Sequence, residues 1–489
     1  MIGINLSRRV SQQHQYYYYL NVTCRTLILL CFMTAAMLSS PGAKGNTCNN
    51  CHVAERTGFA AAHGFAADNC TLCHGGDNQG MTPDEAHAGM TGFPGLLDNA
   101  AEACGSCHAD KVASVSESLM NTGHGIVDVT RRLVDGDAGD AAHANLQSLG
   151  HGPADSMLRK LCASCHLGQD KTAHELDPVN DRGGGCLACH INVYPESAHP
   201  ALSADVSDAR CFGCHSRSAR ISLSYTGLAE IDAATAAEKQ SRLRLSDGRH
   251  LERKPADVHF SNGMTCTECH QGADIMSAAG DAVHQREAVD AACSDCHDTE
   301  HAEATVHDPD HARLECATCH SQWVPQCFGC HMEYDADGTQ WDHIEQRETA
   351  GRWHEQRADF RNGLGTLGVT ARNRIELFTP GMIMTLAHPD WDEEKFVRAF
   401  APISPHTIGP ARSCESCHRS SVALGLGSGI IELRDGEILF TPDQPSLQDG
   451  LPADAWTNID GSLGGIAARP GQRPLNQDEM EAVLAVPLD

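Results

Sequence analysis

The chain has 489 residues, enough for two or three ordinary domains, and 36 basic against 64 acidic side chains leave it at −28. That balance excludes a nucleic acid held through its phosphates, and a soluble partner would be steered in through basic groups. Only 5% of residues are aromatic, and 24 are cysteine, too many for an ordinary cytosolic enzyme.

Residues 1–45 read as a secretory signal peptide. Arg8, Arg9 and Arg25 precede an apolar stretch from Leu27 to Leu38, and the small residues Ser39, Ser40, Gly42 and Ala43 follow it. No later segment approaches the roughly 20 apolar residues of a membrane span, so no transmembrane segment is expected in the mature chain. Four of the seven tyrosines, Tyr16 to Tyr19, fall in this leader. The remaining chain is short of large flat side chains, and a bound cofactor is expected to supply the missing apolar mass.

Beyond the leader one pattern, Cys-x-x-Cys-His, recurs eleven times at irregular intervals. Numbered in chain order, the first six motifs are Cys48/Cys51/His52, Cys70/Cys73/His74, Cys104/Cys107/His108, Cys162/Cys165/His166, Cys186/Cys189/His190 and Cys211/Cys214/His215. Motifs 7 to 11 are Cys266/Cys269/His270, Cys293/Cys296/His297, Cys316/Cys319/His320, Cys327/Cys330/His331 and Cys414/Cys417/His418. The two other cysteines, Cys24 and Cys31, belong to the leader. The spacing predicts divisions into an N-terminal region at 46–220 with motifs 1 to 6, a central region at 221–345 with motifs 7 to 10, a linker and hairpin region at 346–425 with motif 11, and a cofactor-free C-terminal cap at 426–489.

Regular secondary structure is expected only late in the chain. Residues 374–378 and 382–386 flank Thr379-Pro380-Gly381 and predict a hairpin. Residues 430–433 and 437–440 flank Asp435-Gly436, a two-residue turn signal. Asn476 with Glu479 three residues later predicts a capped helix ending near Leu484.

The chemistry follows from the spacing. On one helical turn, positions i, i+3 and i+4 share a face, so two thiols reach the two vinyl groups of a haem while the histidine reaches its iron. A disulfide scaffold would not require a histidine after every second cysteine, zinc ribbons need paired knuckles, and iron–sulfur clusters use other spacings. The expected cofactor is therefore haem c, eleven copies, with the 22 motif cysteines as covalent anchors and the eleven motif histidines as proximal iron ligands. Haem is attached outside the cytoplasm to an unfolded chain, which favours the general secretory route.

Each iron needs a sixth ligand or stays open. Of the 29 histidines, eleven stand in motifs and His14 lies in the leader, so 17 remain for eleven irons. His63, His259, His311 and His406 each precede a motif by five to eight residues and are candidate distal ligands. His307 is a further candidate. Of His124, His143, His174, His250, His301, His343, His354 and His388, several are expected to be solvated or to brace a ligand. Met264 and Met332 stand close to motifs, although a methionine more often packs.

In these motifs the chain resembles the large bacterial multihaem c-type cytochromes, including octahaem tetrathionate-reductase-like proteins and outer-surface electron-transfer cytochromes. The blocks LGHGPADSMLRKLCASCHLG at 149–168, RGGGCLACH at 182–190, CFGCHSRSARISLSYTG at 211–227, DVHFSNGMTCTECH at 257–270 and SPHTIGPARSCESCH at 404–418 carry the likeness. The resemblance implies distal ligands at His87, His151, His199, His259, His284 and His406. It also implies a multihaem cytochrome c fold, mostly α and irregular coil organised around stacked covalent haems, with a small β-containing C-terminal part. Every motif ends in histidine, so the lysine-ligated site of cytochrome c nitrite reductases is missing, and only Tyr194, Tyr225 and Tyr334 remain for a hydroxylamine-oxidoreductase-like cross-link.

Two functions are compatible with these features. The first is a periplasmic or cell-surface electron carrier of anaerobic respiration, which exchanges electrons with cytochromes, membrane quinol-linked complexes, further copies of itself or an extracellular acceptor. The second is a multihaem oxidoreductase for a small sulfur or nitrogen oxyanion at one open haem. The histidine surplus and the missing lysine and tyrosine signatures favour the carrier, with no catalytic residue.

Overall fold

A computed structural model describes residues 46–53, 55, 61–136, 144–171, 175–192, 199–289, 291–297 and 309–488. The leader, His143, His174, His301 and His307 lie outside these residues.

From residue 46 to about 320 the chain runs in short helices and loops. Most helices are a single turn, as at Cys48–Cys51, Thr71–His74, Cys266–Cys269 and Cys316–His320, and the longest are Gly105–Ser116 and His124–Val134. Two small ribbons interrupt this region: β1 (Ile191–Asn192) pairs with β2 (Ala201–Leu202), and β3 (Leu228–Ile231) pairs with β4 (His250–Arg253), both antiparallel.

The last third of the chain overturns the expectation of a mostly α and irregular protein around stacked haems. The long strands β5 (Val324–Asp342) and β6 (Arg347–Gly363), then β7 (Thr366–Val369), β8 (Ile375–Ala387) and β9 (Lys395–Pro402), join two short C-terminal strands in one seven-stranded mixed sheet. After the separate hairpin of β10 (Gly429–Arg434) and β11 (Glu437–Pro442), the chain returns to that sheet with β12 (Ile466–Ala467) and β13 (Arg473–Pro474). The order is β12-β9-β8-β5-β6, with β7 on β8 and β13 on β7. β5 pairs with β8 in parallel and β12 with β9 in parallel, while β5–β6 and β8–β9 are antiparallel.

The sheet crosses the expected divisions at 345/346 and 425/426, so the region read as a linker supplies four of its strands. Thr379-Pro380-Gly381 is not a hairpin turn. β8 runs straight through it with a bulge between Pro380 and Met382, as suits a proline and glycine where ladder bonding is interrupted. The bulge lets two partners share one edge of β8: β7 pairs with 375–378 and β5 with 384–387. The Asp435-Gly436 turn does form, with Arg434 opposite Glu437 and positive φ at both turn residues. The helix Gln477–Leu484 starts in the expected Asn476/Glu479 capping box.

The sheet packs side chains on both of its faces. Adjacent residues of β8 point to opposite faces. Leu377 packs with Leu367, Leu424, Leu475 and Met480, and Phe378 packs with Phe400 and Trp456. Trp456, fully buried, stacks on Phe400 at 5.1 Å and 5° and tilts against Phe378 at 4.8 Å. Covering both faces in this way suits a sheet with parallel pairs.

One segment, Pro153–Cys162, docks the N-terminal region on the β5–β6 hairpin. Met157 joins Met332, Trp353 and Leu386. Arg159, buried, donates to Asp342 at 2.8 Å and Glu345 at 2.7 Å, and Lys160 donates to Thr349 Oγ1 at 2.7 Å. Arg131 holds Asp155 through two bonds of 2.7 and 2.8 Å, and the Gly150 N–H donates to the same carboxylate at 2.6 Å.

These contacts have two measurable outcomes. Trp456→Ala opens a cavity in the aromatic stack and should destabilise the protein by about 3–5 kcal/mol, measured as the urea midpoint by far-UV circular dichroism. Burial pushes the Asp155 carboxyl up, but Arg131 and the Gly150 N–H outweigh it and hold it below the ordinary carboxylate value. Its contribution is therefore complete above the unfolded carboxylate pKa and is lost as pH falls through the folded value. Asp155→Asn should remove that part of the acid dependence of stability.

Candidate functional site

Ten of the eleven motifs coil into a turn, and in seven the histidine N–H donates to the carbonyl of the first cysteine. These bonds run from His52, His74, His108, His190, His270, His297 and His418 at 2.9–3.1 Å. His166 bonds Ala163 at 2.9 Å instead, and His215 and His320 end the helices Ala209–His215 and Cys316–His320. Motif 10 differs, because it lies inside β5. A regular strand would send Cys327 and Cys330 to opposite faces. Gly329 at φ +75° and a register shift between Phe328 and His331 bring the two sulfurs to 4.0 Å.

The histidine rings are braced at Nδ1. His74 Nδ1 lies 2.8 Å from Thr91 O, His190 2.9 Å from Ser203 O, His320 3.1 Å from Gly409 O and His418 2.6 Å from Val483 O. Outside the motifs, His199 meets Pro200 O at 2.7 Å, His406 meets Ser404 O at 2.9 Å, and His259 meets the Asp257 carboxylate at 2.8 Å. A ring that donates Nδ1–H to such an acceptor keeps its lone pair on Nε2, the arrangement a metal-bound imidazole uses. Burial pushes His166, His199, His215 and His406 below the ordinary histidine value, which keeps them neutral as a ligand must be. The Nε2 of His166 is buried with no hydrogen-bond partner.

Six motif histidines face a second histidine. Ring centroids are 6.0 Å apart for His52–His87, 6.2 Å for His74–His199, 6.4 Å for His108–His63, 6.2 Å for His270–His406, 6.0 Å for His297–His259 and 5.9 Å for His418–His311. Two imidazoles bound trans to one metal, each nitrogen about 2 Å from it, put their centroids roughly 6 Å apart. Six of the nine candidate distal ligands therefore stand opposite a motif histidine. None of the six faces the motif that follows it in sequence: His63 precedes motif 2 yet faces motif 3, and His406 precedes motif 11 yet faces motif 7.

The other candidates lie elsewhere. His151 is 78% exposed, 4.0 Å from Glu345, and His284 is half-buried, 3.6 Å from Asp128. His307 is outside the described residues. Among the weaker candidates, His354 lies 3.8 Å from Asp335, and His343 Nδ1 lies 3.4 Å from Gln169. His388 sits among Tyr334, Trp353 and Trp391 and accepts the Asp390 N–H at Nδ1, the reverse of the bracing at the other rings. Met332 is buried in the apolar cluster beside Trp353.

Thiols of different motifs are neighbours. Burial and then Cys70 raise Cys48, and burial with Cys186 and Cys73 pushes Cys104 up to about 11. Burial with Cys211 and Cys186 pushes Cys189 up to about 11. Burial acts likewise with Cys296 on Cys269, with Cys316 on Cys293 and with Cys417 on Cys319. A hydrogen bond with Cys165 raises Cys214, and one with Cys211 raises Cys266.

The motif thiols are not uniformly enclosed by the polypeptide. Cys51, Cys107, Cys269, Cys293, Cys296, Cys316 and Cys414 are exposed. Cys107 shows the cause. Helix Gly105–Ser116 departs from helical geometry at His108 (φ −121°, ψ 33°), directly after it. The first thiol of the motif, Cys104, is half-buried toward Cys186 and Cys73, whereas Cys107 opens to solvent with Ser106 Oγ 3.8 Å from its sulfur.

Among the described residues no group of three or more His, Cys, Asp or Glu side chains converges to hold a metal ion by itself. The donor set is instead paired thiols beside paired imidazoles, which fits a metal that brings its own equatorial ligands. No helix among the described residues is long and apolar enough to cross a membrane. No family model matches the chain, and neither a curated protein nor a solved structure matches it.

Proposed function

We propose that the chain is an exported electron-transfer protein of the multihaem c-type cytochrome kind, which carries eleven covalent haems and serves respiratory partners in the periplasm or at the cell surface. The observation that carries this reading is the set of six histidine pairs at 5.9–6.4 Å, each opposing a motif histidine to one from a distant segment. Haem c, when bound, supplies a one-electron iron couple.

The chain's own residues then do four things. With haem c bound, the cysteine pairs would hold it by thioether bonds and the motif histidines would ligate its iron. His87, His199, His63, His406, His259 and His311 would serve as second ligands beside His52, His74, His108, His270, His297 and His418. Carbonyls and Asp257 hold the rings by their Nδ1 protons, so coordination need not change between oxidation states. At these six sites a histidine on each side would leave no exchangeable position for a substrate, as a carrier requires. The charge of −28 favours redox partners with basic docking surfaces.

Intact mass spectrometry of the purified protein should give the processed chain plus eleven haems. The reduced protein should bind little carbon monoxide and reoxidise rapidly with iron(III) chelates. A mass with nine or fewer haems overturns the reading. Stoichiometric carbon monoxide binding with turnover of tetrathionate, nitrite or hydroxylamine replaces it with an oxidoreductase. His406→Ala should leave the haem count unchanged and convert one haem from low to high spin in the electron paramagnetic resonance spectrum.

A further inference from the structure

Three arginines around motif 6 have an acid partner. Arg210 holds Asp181 at 2.7 Å, Arg217 holds Asp247 at 2.9 Å and Arg220 holds Glu230 at 2.7 Å. Arg182 and Arg412 differ, since among the described residues no carboxylate is in ion-pair contact with either. Arg182 donates to Ser164 Oγ, between the two cysteines of motif 4, at 3.4 Å and to Val179 O at 3.3 Å, and its Nε is buried with no hydrogen-bond partner. Its sequence neighbour Asp181 is already taken by Lys171 and Arg210. Arg412 reaches the Cys417 sulfur of motif 11 at 3.2 Å, and its Nε and Nη1 are both buried with no hydrogen-bond partner.

Neither guanidinium is needed to hold its own segment in place. Gly184 and Gly185, which follow Arg182, donate their N–H groups to Gln169 O at 3.0 Å and Leu167 O at 2.9 Å. The Arg412 N–H donates to Cys319 O at 2.9 Å and the Gly409 N–H to His320 O at 2.8 Å, so main-chain bonds pin residues 409–412 on motif 9. A charge drawn out of water without a partner costs stability. The guanidinium stays protonated at any ordinary pH, and salt screens a partly buried charge poorly. A gain that needs the charge itself would offset the cost, and what lies next to both side chains is an attachment site.

We propose that Arg182 and Arg412 set the reduction potentials at motifs 4 and 11: each holds an unneutralised positive charge beside one attachment site and makes the iron there easier to reduce than a neutral side chain would. Adding an electron lowers the charge of an iron by one, which a fixed cation nearby favours, and local charge is one of the levers on a haem potential. In a chain at −28 these two sites then stand above the potential that the surrounding carboxylates alone would give them. This rests on the proposed haem attachment but makes a separate claim about charge. Both arginines are positioning residues, which act on the iron through space and not as its ligands.

The test is a spectroelectrochemical titration of the full-length, haem-loaded protein, with the haem count of every variant checked by mass. Arg182→Gln should move one haem to a lower midpoint potential, Arg412→Gln should move another, and the double variant should move both. Arg182→Lys and Arg412→Lys keep the charge, lose the planar fork and should titrate as the unaltered protein does. Arg434→Gln is the control and should move none, because Arg434 is exposed and already paired with Glu432 at 2.8 Å. Glutamine variants that titrate unchanged, lysine variants that shift as far as the glutamine ones, or a control that shifts as well would overturn the assignment. A glutamine variant that loses a haem also overturns it, since the arginine then acts on attachment and not on potential. Too few haems on the unaltered protein would sink the function itself; a full complement without these shifts sinks only the role of the two arginines.

Discussion

Four motif imidazoles give their Nδ1 proton to a main-chain carbonyl, which leaves the Nε2 lone pair free and ties short turns to segments elsewhere in the chain. The acceptors are main-chain carbonyls from loops that come from elsewhere. Thr91 serves His74, Ser203 serves His190, Gly409 serves His320 and Val483 serves His418. Each bond fixes a ring and pins a connecting segment, so short turns without a strong helical pattern are still held in definite places. The Val483 bond also ties motif 11 to the C-terminal helix, which packs on the sheet through Met480 and Leu484.

The sheet answers a different need. A chain with 5% aromatic residues still gathers Trp456, Phe400, Phe378 and Phe328 into one cluster, and the aliphatic residues of β7, β8 and the C-terminal pieces into another. The large aromatic residues thus gather in the last third, while Val127, Leu146, Leu149 and Leu158 form a smaller cluster within the motif region. The Arg159–Asp342–Glu345 and Lys160–Thr349 contacts couple that scaffold to the motif region. Their buried charges are worth keeping only because each has several partners. Motif 10 sits within the scaffold, where a glycine and a bulge reconcile a strand with the two-thiol geometry of a turn.

The pairing of histidines across the chain carries a consequence for assembly. With His199 opposing motif 2 and His406 opposing motif 7, these motif rings meet their partners only when much later segments have folded. Closing such long loops has an entropic cost, which the ring-bracing hydrogen bonds help to offset.

Local chemistry was legible in the sequence. The Cys-x-x-Cys-His spacing needs only one turn of backbone, and the Asp435-Gly436 hairpin and the Asn476/Glu479 cap need only a few adjacent residues. Histidine supply could be counted, and six candidate positions do face a motif histidine. Which motif each faces was not legible, because sequence distance says nothing about a contact made after the intervening chain has folded back. The sheet was hidden for a related reason: β5 and β6 carry charged and polar residues such as Glu333, Asp335, Glu348 and Glu355, and their alternation becomes a strand only against each other and against β8. Thr379-Pro380-Gly381 reads locally as a turn, yet β9 on one side and β5 and β7 on the other hold it as a bulge. The sequence by itself determined the local turns, the Asp435-Gly436 hairpin and the Asn476/Glu479 cap, since each depends on a few adjacent residues. Tertiary structure alone decided the partners of the rings and the sheet beneath them, since those depend on long-range packing that no local pattern encodes.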